Sequence, residues 1–317
     1  MAAQTRVGVR NGSLDKQKFI MTIDTTLGGG TNDFNLRLFT GGNLPLTGTV
    51  DWGDGSTQPC SDWVSQTGIT HIYSTPGIYT IKITGQFGGI YYTAGTPYKI
   101  TNIQQWGTSC QYERIGLSSS TNMVITATDT PNTSLITSAD GMFTFCSSLT
   151  TIPNFNTWDM SNVISATRFI YNCSKITNFD MSGMDWSSCV NFGSGGTNGF
   201  TRGLGLCTSF DVSNVVLNST SNISMYRMFR DLADNVLVGL HTWNIEKVNV
   251  FTGFLYGTKI TTTEYDKLLV EWDNLDPIDN LSVNFGSSKY TSGSAAETAR
   301  ASLISNDLWT ITDGGGI

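Results

Sequence analysis

The sequence predicts a mainly β chain in three parts: a small β-sandwich, a stacked-repeat solenoid and a small α/β cap at the C-terminus. Three observations lead there. The pattern Met142-Phe143-x-x-Cys146-x-x-Leu149-x-x-Ile152 returns 27 residues later as Phe169-Ile170-x-x-Cys173-x-x-Ile176-x-x-Phe179. Residues well ahead of it alternate apolar and polar with period two, and clear helical periodicity lies beyond residue 260. Hydrophobic residues make up 39% of the 317, so the chain folds, while charged residues are only 14%. Gly, Ser, Thr and Asn stand in place of the missing charge, which suits short strands and turns.

Residues 1–18 carry Arg6, Arg10, Lys16 and Lys18 against Asp15, a charge of +3 that leaves −10 for the remainder of a −7 chain. A frayed terminus and a docking arm both fit this stretch. In residues 19–100, Phe34-x-Leu36-x-Leu38, Val50-x-Trp52 and Tyr79-x-Ile81-x-Ile83 read as half-buried strands. Gly28-Gly29-Gly30, Gly53-Asp54-Gly55 and Pro76-Gly77 separate them as turns, at the spacing of a small sandwich. The run Val50-Asp51-Trp52-Gly53-Asp54-Gly55-Ser56, followed by His71-x-Tyr73-x-x-Pro76-Gly77-x-Tyr79-x-Ile81, resembles the PKD-type immunoglobulin-like module. That resemblance implies that these residues build the fold. Asp51 and Asp54 then cap turn amides, and His71 and Tyr73 pack beside the turn.

Residues 101–262 form the repeat block. Three apolar columns share one register: Phe143 with Ile170 beside Cys146 with Cys173; Ile125, Ile152 and Phe179; Ile136, Val163 and Val190. Self-similarity at such a period marks units that bury their apolar faces only by stacking. Apolar residues at three-residue steps suit a coil that shows its core one residue per side, and Pro153 prevents a central helix. The stretch Cys146-Ser-Ser-Leu149-Thr-Thr-Ile152-Pro153-x-Phe155-x-x-Trp158-Asp159-Met160-Ser161-Asn162-Val163, echoed by Trp243 to Val248 and by Met228-Phe229, resembles the BspA-type leucine-rich-repeat surface proteins. That family occurs on bacterial surfaces and in bacteriophage genomes. The resemblance implies a leucine-rich-repeat-like solenoid used for contact, with no catalytic residues to carry over.

The register breaks after Cys173. Counted to Cys207 the interval is 34 residues, and the Gly-rich stretch Asn191–Gly205 accounts for the excess. Such insertions emerge as loops on one face. A contact loop and a tolerated loop both fit; in the contact reading Phe200 and Arg202 are the binding residues. Residues 263–317 read as a cap. Thr261-x-x-Glu264 is a capping box, Tyr265, Leu268, Leu269 and Trp272 share a helical face, and Asp276-Pro277 stops that helix. Leu281-x-Val283-x-Phe285 and Trp309-x-Ile311 read as strands, with a helix opened by Ser294-x-x-Glu297 between them.

No catalytic motif, metal-ligand spacing or cofactor fingerprint is found, so no catalytic residue, metal or cofactor is expected. The acidic set Glu264, Asp266, Glu271, Asp273, Asp276 and Asp279 reads as a solvated helix face and turn. Cys60, Cys110, Cys146, Cys173, Cys189 and Cys207 are expected to be small buried thiols. The acidic balance argues against nucleic acid, and no 18–20-residue apolar run predicts insertion into a membrane. A binding module is expected, with a polysaccharide hydrolase as the other class. The absence of a leader-like or anchor-like segment points to a bacteriophage virion surface protein, in a tail fibre, baseplate or capsid decoration, over a secreted bacterial adhesin. The partners expected are other virion proteins and a host glycan or protein, met in multiple copies.

Overall fold

The computed structural model describes residues 16–29, 31–39, 42, 44–63, 68–92, 95–194 and 199–317. The chain is mainly β, as its patterning requires. A six-stranded sheet runs in the order Val124–Ile125, Ile100–Gln105, Phe19–Asp24, Ile78–Thr84, Thr49–Asp51, Thr57–Pro59. Phe19, Met21 and Ile23 alternate inward, and Met21 lies opposite both Ile81 and Ile103. The pairs Asp33–Leu36 with Ile69–Ile72, and Gly89–Tyr91 with Arg114–Gly116, form two further small sheets. Position 100, the expected end of the sandwich, begins a strand of the large sheet, and Ile125 extends that sheet by pairing parallel with Ile103.

The acidic turn is built as expected. Asp51 accepts from the Gly53 amide at 3.0 Å, and Asp54 accepts from the Ser56 amide at 3.0 Å. His71 stacks on Trp52 with ring centroids 4.7 Å apart and reaches Asp54 at 2.7 Å. The Ser56 hydroxyl, with His71 assisting, holds the Asp54 carboxyl down to about 2.

Three parallel ladders follow, each of three strands. They join Ile170–Tyr171, Thr201–Leu204 and Phe229–Leu232; Asn178–Asp180, Ser209–Asp211 and Leu237–Val238; and Asn191–Gly193, Ile223–Met225 and Val248–Val250. Each successive stretch of chain thus gives one strand to each ladder, in the same order. Pairing fixes the true repeat register. Phe179 lies opposite Phe210, and Thr208 bonds Thr177 at a separation of 31, against 27 for Thr177 and Thr150. Cys207 therefore matches Ile176, both donating their amides to the residue three before, and Leu204 takes the place of Cys173. The excess falls between Asn191, which bridges Ser165, and Gly199, which accepts from the Arg168 amide. In the third column Cys189, not Val190, continues Ile136 and Val163. All three are buried, and the bridges Ser138–Ser165–Asn191 lie two residues beyond them.

The inner residues of successive turns form a spine. Phe143 meets Phe169 at 5.6 Å, Phe169 stacks on Phe200 at 5.0 Å, and Phe229 meets Phe254 at 5.5 Å. Buried aromatic pairs add about 0.5–1.5 kcal/mol each beyond the area they bury. Two spine positions are polar and are satisfied: the Thr201 hydroxyl donates to the Met228 carbonyl at 3.1 Å, and that of Thr258 to Phe229 at 2.7 Å. All six cysteines are free and buried, and the Cys146 and Cys173 thiols point at the carbonyls of Leu117 and Phe143.

The C-terminal segment continues the core. The helix Thr262–Asp273 buries Tyr265, Leu268, Leu269 and Trp272 as its periodicity requires. Trp272 packs on Phe251 at 5.4 Å, and the Leu255 amide donates to Asn284. The strands Ser282–Asn284 and Thr310–Thr312 pair parallel, with the helix Ala295–Ser305 between them in sequence. Asp313 accepts from Arg300 and from the Tyr265 hydroxyl, both at 2.7 Å, which ties the last residues to the first helix.

Phe200 is fully buried. Its replacement by Ala is expected to cost about 3–5 kcal/mol in chemical denaturation, the range for truncating a core aromatic. A loss below about 1 kcal/mol would show that the spine does not close through this residue.

Candidate functional site

The ladder dictates an unusual backbone. In successive turns a residue one or two positions before the spine ring is left-handed, at Gly141, Arg168, Arg227 and Gly253. A second left-handed residue follows four positions later, at Phe145, Asn172, Asp231 and Gly257, and Gly203 is left-handed in the turn between. Gly, Asn and Asp adopt this conformation readily, whereas other side chains pay about 1–2 kcal/mol. Phe145, at φ 60°, Arg168, at φ 55°, and Arg227, at φ 50°, are the costly occupants, and Phe145 is 46% exposed.

Phe145 and Arg168 line one groove of about 550 Å³, together with Tyr91, Arg114, Asp140 and Thr144. Tyr91 and Arg114 come from the paired strands Gly89–Tyr91 and Arg114–Gly116. Those strands close only because position 89 is glycine, at φ 128°; a Cβ there would lie 1.9 Å from the Arg114 carbonyl oxygen. The Arg114 guanidinium lies 4.8 Å over the Tyr91 ring and donates through Nη2 to the Asp140 carbonyl at 3.2 Å, while its buried Nε has no acceptor. Arg168 is exposed, and among the described residues its guanidinium has no partner.

Asp140 is the fastening of the groove floor. One carboxyl oxygen accepts from the Ser165 hydroxyl at 2.7 Å, the Thr167 amide at 2.7 Å and the Thr167 hydroxyl at 2.8 Å; the other accepts from Ser138 at 3.1 Å. Burial pushes its carboxyl up, but the Ser165 and Thr167 donors outweigh burial and hold it below the ordinary 3.8. Both oxygens are thereby occupied in positioning two successive turns.

A stripe of rings and charges leads away from the groove. Phe145 meets Tyr171 edge-on at 5.8 Å, and Arg202 bonds the Tyr171 hydroxyl at 2.5 Å. Asp231 accepts from Arg202 at 3.3 Å and from Arg230 at 3.0 Å, and Arg230 lies 5.1 Å over Tyr256. Arg202, one expected binding residue, is thus half-exposed and engaged within this stripe. Phe200, the other, is not a contact residue: it is buried because the spine runs through it, and Gly193 and Gly199 near it serve close backbone packing. A Cβ at Gly199 would meet the Arg227 carbonyl oxygen at 2.0 Å.

Of the expected docking arm, Arg6 and Arg10 lie outside the described residues. The end of that segment is fastened to the sheet side: the Thr108 amide donates to the Lys16 carbonyl at 3.0 Å, and Gln105 to that of Lys18 at 2.8 Å. Glu264 departs from the expected solvated face. It is buried, accepting from the Gly239 amide at 2.8 Å and lying 3.0 Å from His241 Nδ1. The Thr261 side chain does cap the Glu264 amide, but Glu264 itself ties the helix to the preceding turn instead of closing the box. Asp273, Asp276, Asp279 and Asp307 stand close enough that burial and their mutual repulsion raise the Asp307 carboxyl. Among the described residues no three His, Cys, Asp or Glu side chains are placed to hold a metal ion, and no helix is long and apolar enough to cross a membrane.

A family model described as "Mycoplasma protein of unknown function, DUF285" matches residues 92–195, less than half of the chain but including Arg114, Asp140, Phe145 and Arg168. The match is consistent with a repeat-built surface protein. No curated protein and no solved structure matches the chain.

Because Asp140 is held below its ordinary value, the stability it supplies is present above pH 3.8 and is lost as the pH falls through the folded value. Asp140→Asn is expected to be less stable than wild type by about 1–3 kcal/mol at pH 7. Denaturation repeated toward pH 3 should show the gap closing; a gap independent of pH would contradict the assigned role.

Proposed function

We propose that the chain is a non-catalytic recognition scaffold acting by surface contact. In this reading a PKD-like sandwich, at about 19–100, leads into a leucine-rich-repeat-like solenoid, at about 101–262, which the segment 263–317 caps. The supporting observation is the joint arrangement of ladder and spine. Apolar side chains from Phe19 to Trp309 form one continuous core, so stacking consumes them and leaves rows of Thr, Ser and Asn with the aromatic and arginine stripe outside. Rigid polar faces of this kind make individually weak contacts, and useful attachment then comes from many copies at high effective concentration.

The virion surface of a bacteriophage is the location we favour, in a tail fibre, a baseplate or a capsid decoration. A bacterial surface adhesin is the second reading, and the match to a Mycoplasma family favours it. A polysaccharide hydrolase needs two carboxyl groups about 5–10 Å apart across a cleft. The groove is lined by the single carboxylate Asp140, with both oxygens occupied, which weighs against that reading.

An antibody to the chain, applied to purified particles and to washed bacterial envelopes from the same culture, tests the proposal. Recovery with particles in many copies per particle is expected. Recovery with envelopes alone would transfer the assignment to the adhesin, and recovery from neither would remove surface contact as the function.

A further inference from the structure

We propose that the groove between Tyr91 and Arg168 is a carbohydrate site for an acidic sugar, one carrying a carboxylate on a pyranose ring. The inference rests on the reading of the chain as a contact protein and names what one part of its surface contacts. Its volume, about 550 Å³, lies within the usual range for small-ligand sites.

Charge points to the anion. The chain as a whole is at −7, yet this groove gathers Arg114 and Arg168 against the single carboxylate of Asp140. Asp140 is already satisfied by three hydroxyls and an amide, so neither arginine has to serve it through its side-chain oxygens. Arg114 keeps a buried Nε–H without an acceptor, and Arg168 is exposed with no partner among the described residues. The exposed Arg168 guanidinium, with the positive charge of Arg114 beside it, matches a carboxylate, which accepts charge-assisted and bidentate bonds; the Arg114 Nε–H is enclosed and does not itself face the groove.

Strain points to the ring. Phe145 and Arg168 occupy left-handed positions that Gly, Asn or Asp fill in most other turns, with Ser119 and Arg227 the other exceptions. Keeping an aromatic and an arginine there costs stability, and both are turned to the same groove. Costly backbone conformations concentrate at binding sites, and the inference runs from the strained residue to the role. An exposed aromatic beside hydroxyl-bearing Thr144 and Ser118 offers an apolar face for a sugar ring and polar groups for its hydroxyls.

The test uses the full chain on an array of uronic- and sialic-acid saccharides, each printed beside its carboxyl-reduced form, with poly-glutamate as a non-sugar carboxylate. Retention on acidic saccharides, lost on their reduced forms, is expected. On the best saccharide, Arg168→Ala should weaken binding by about tenfold or more, as loss of a charge-assisted contact implies. Phe145→Gly should also weaken binding while melting no lower than wild type, because glycine relieves the left-handed strain. That combination separates a binding role from a structural one. Lys175→Ala, exposed and outside the groove lining, should bind as wild type. Equal retention on the reduced forms, retention on poly-glutamate alone, no retention at all, or unchanged binding by Arg168→Ala would each overturn the acidic-sugar site. Recovery of the protein with particles or envelopes, measured separately, would then leave the contact function standing without it.

Discussion

In turn after turn, the amide of one left-handed residue donates to a carbonyl of the next turn. Ser119 donates to Thr144, Phe145 to Tyr171, Asn172 to Arg202 and Asp231 to Tyr256. The strands involved are two to four residues long, too short to be stable alone. Their backbone groups are satisfied only by the neighbouring turn, and their inner side chains are covered only by it. Register, core and surface all follow from this constraint. It fixes where Phe143, Phe169 and Phe200 meet, and it forces positive φ at the positions that then face outward. The end of the stack needs cover for the same reason, and Trp272 supplies part of it over Phe251 and Phe254.

Much of this was legible in the sequence because core packing leaves periodic marks. Cys146 and Cys173 sit in equivalent places, and Tyr265, Leu268, Leu269 and Trp272 share a buried helix face. The errors arose where one residue type served two positions. Cys207 looked like the next cysteine of the column, but buried small side chains substitute for one another, and Leu204 holds that place. Val190 and Cys189 are adjacent and both apolar, so spacing alone could not say which turned inward. Phe200 looked exposed because of its glycines, although glycine serves close backbone approach as well as loops. Glu264 has the pattern of a helix cap, and only the approach of Gly239 and His241 gives it a buried role.

The groove was not legible by motif. Tyr91, Arg114, Asp140 and Arg168 lie about one turn apart in sequence and share no local spacing, because each is delivered by a different turn of chain. A weaker signal was present. Gly141, Arg168, Arg227 and Gly253 precede the spine residues, as Asn172, Gly203, Asp231 and Gly257 follow them. Columns rich in Gly, Asn and Asp mark left-handed backbone, and Phe145, Arg168 and Arg227 stand out in them as residues retained against local preference. The same backbone that joins the turns thereby selects which side chains are costly to keep, and two of them, Phe145 and Arg168, line the groove.

Native-state hydrogen exchange tests the shared ladder most directly. If neighbouring turns satisfy one another, amides in 143–146, 170–173, 201–204 and 229–232 should exchange together, at a free energy close to that of global unfolding. Rapid exchange of any one of these segments while the others remain protected would contradict the account, because no turn could then depend on its neighbour.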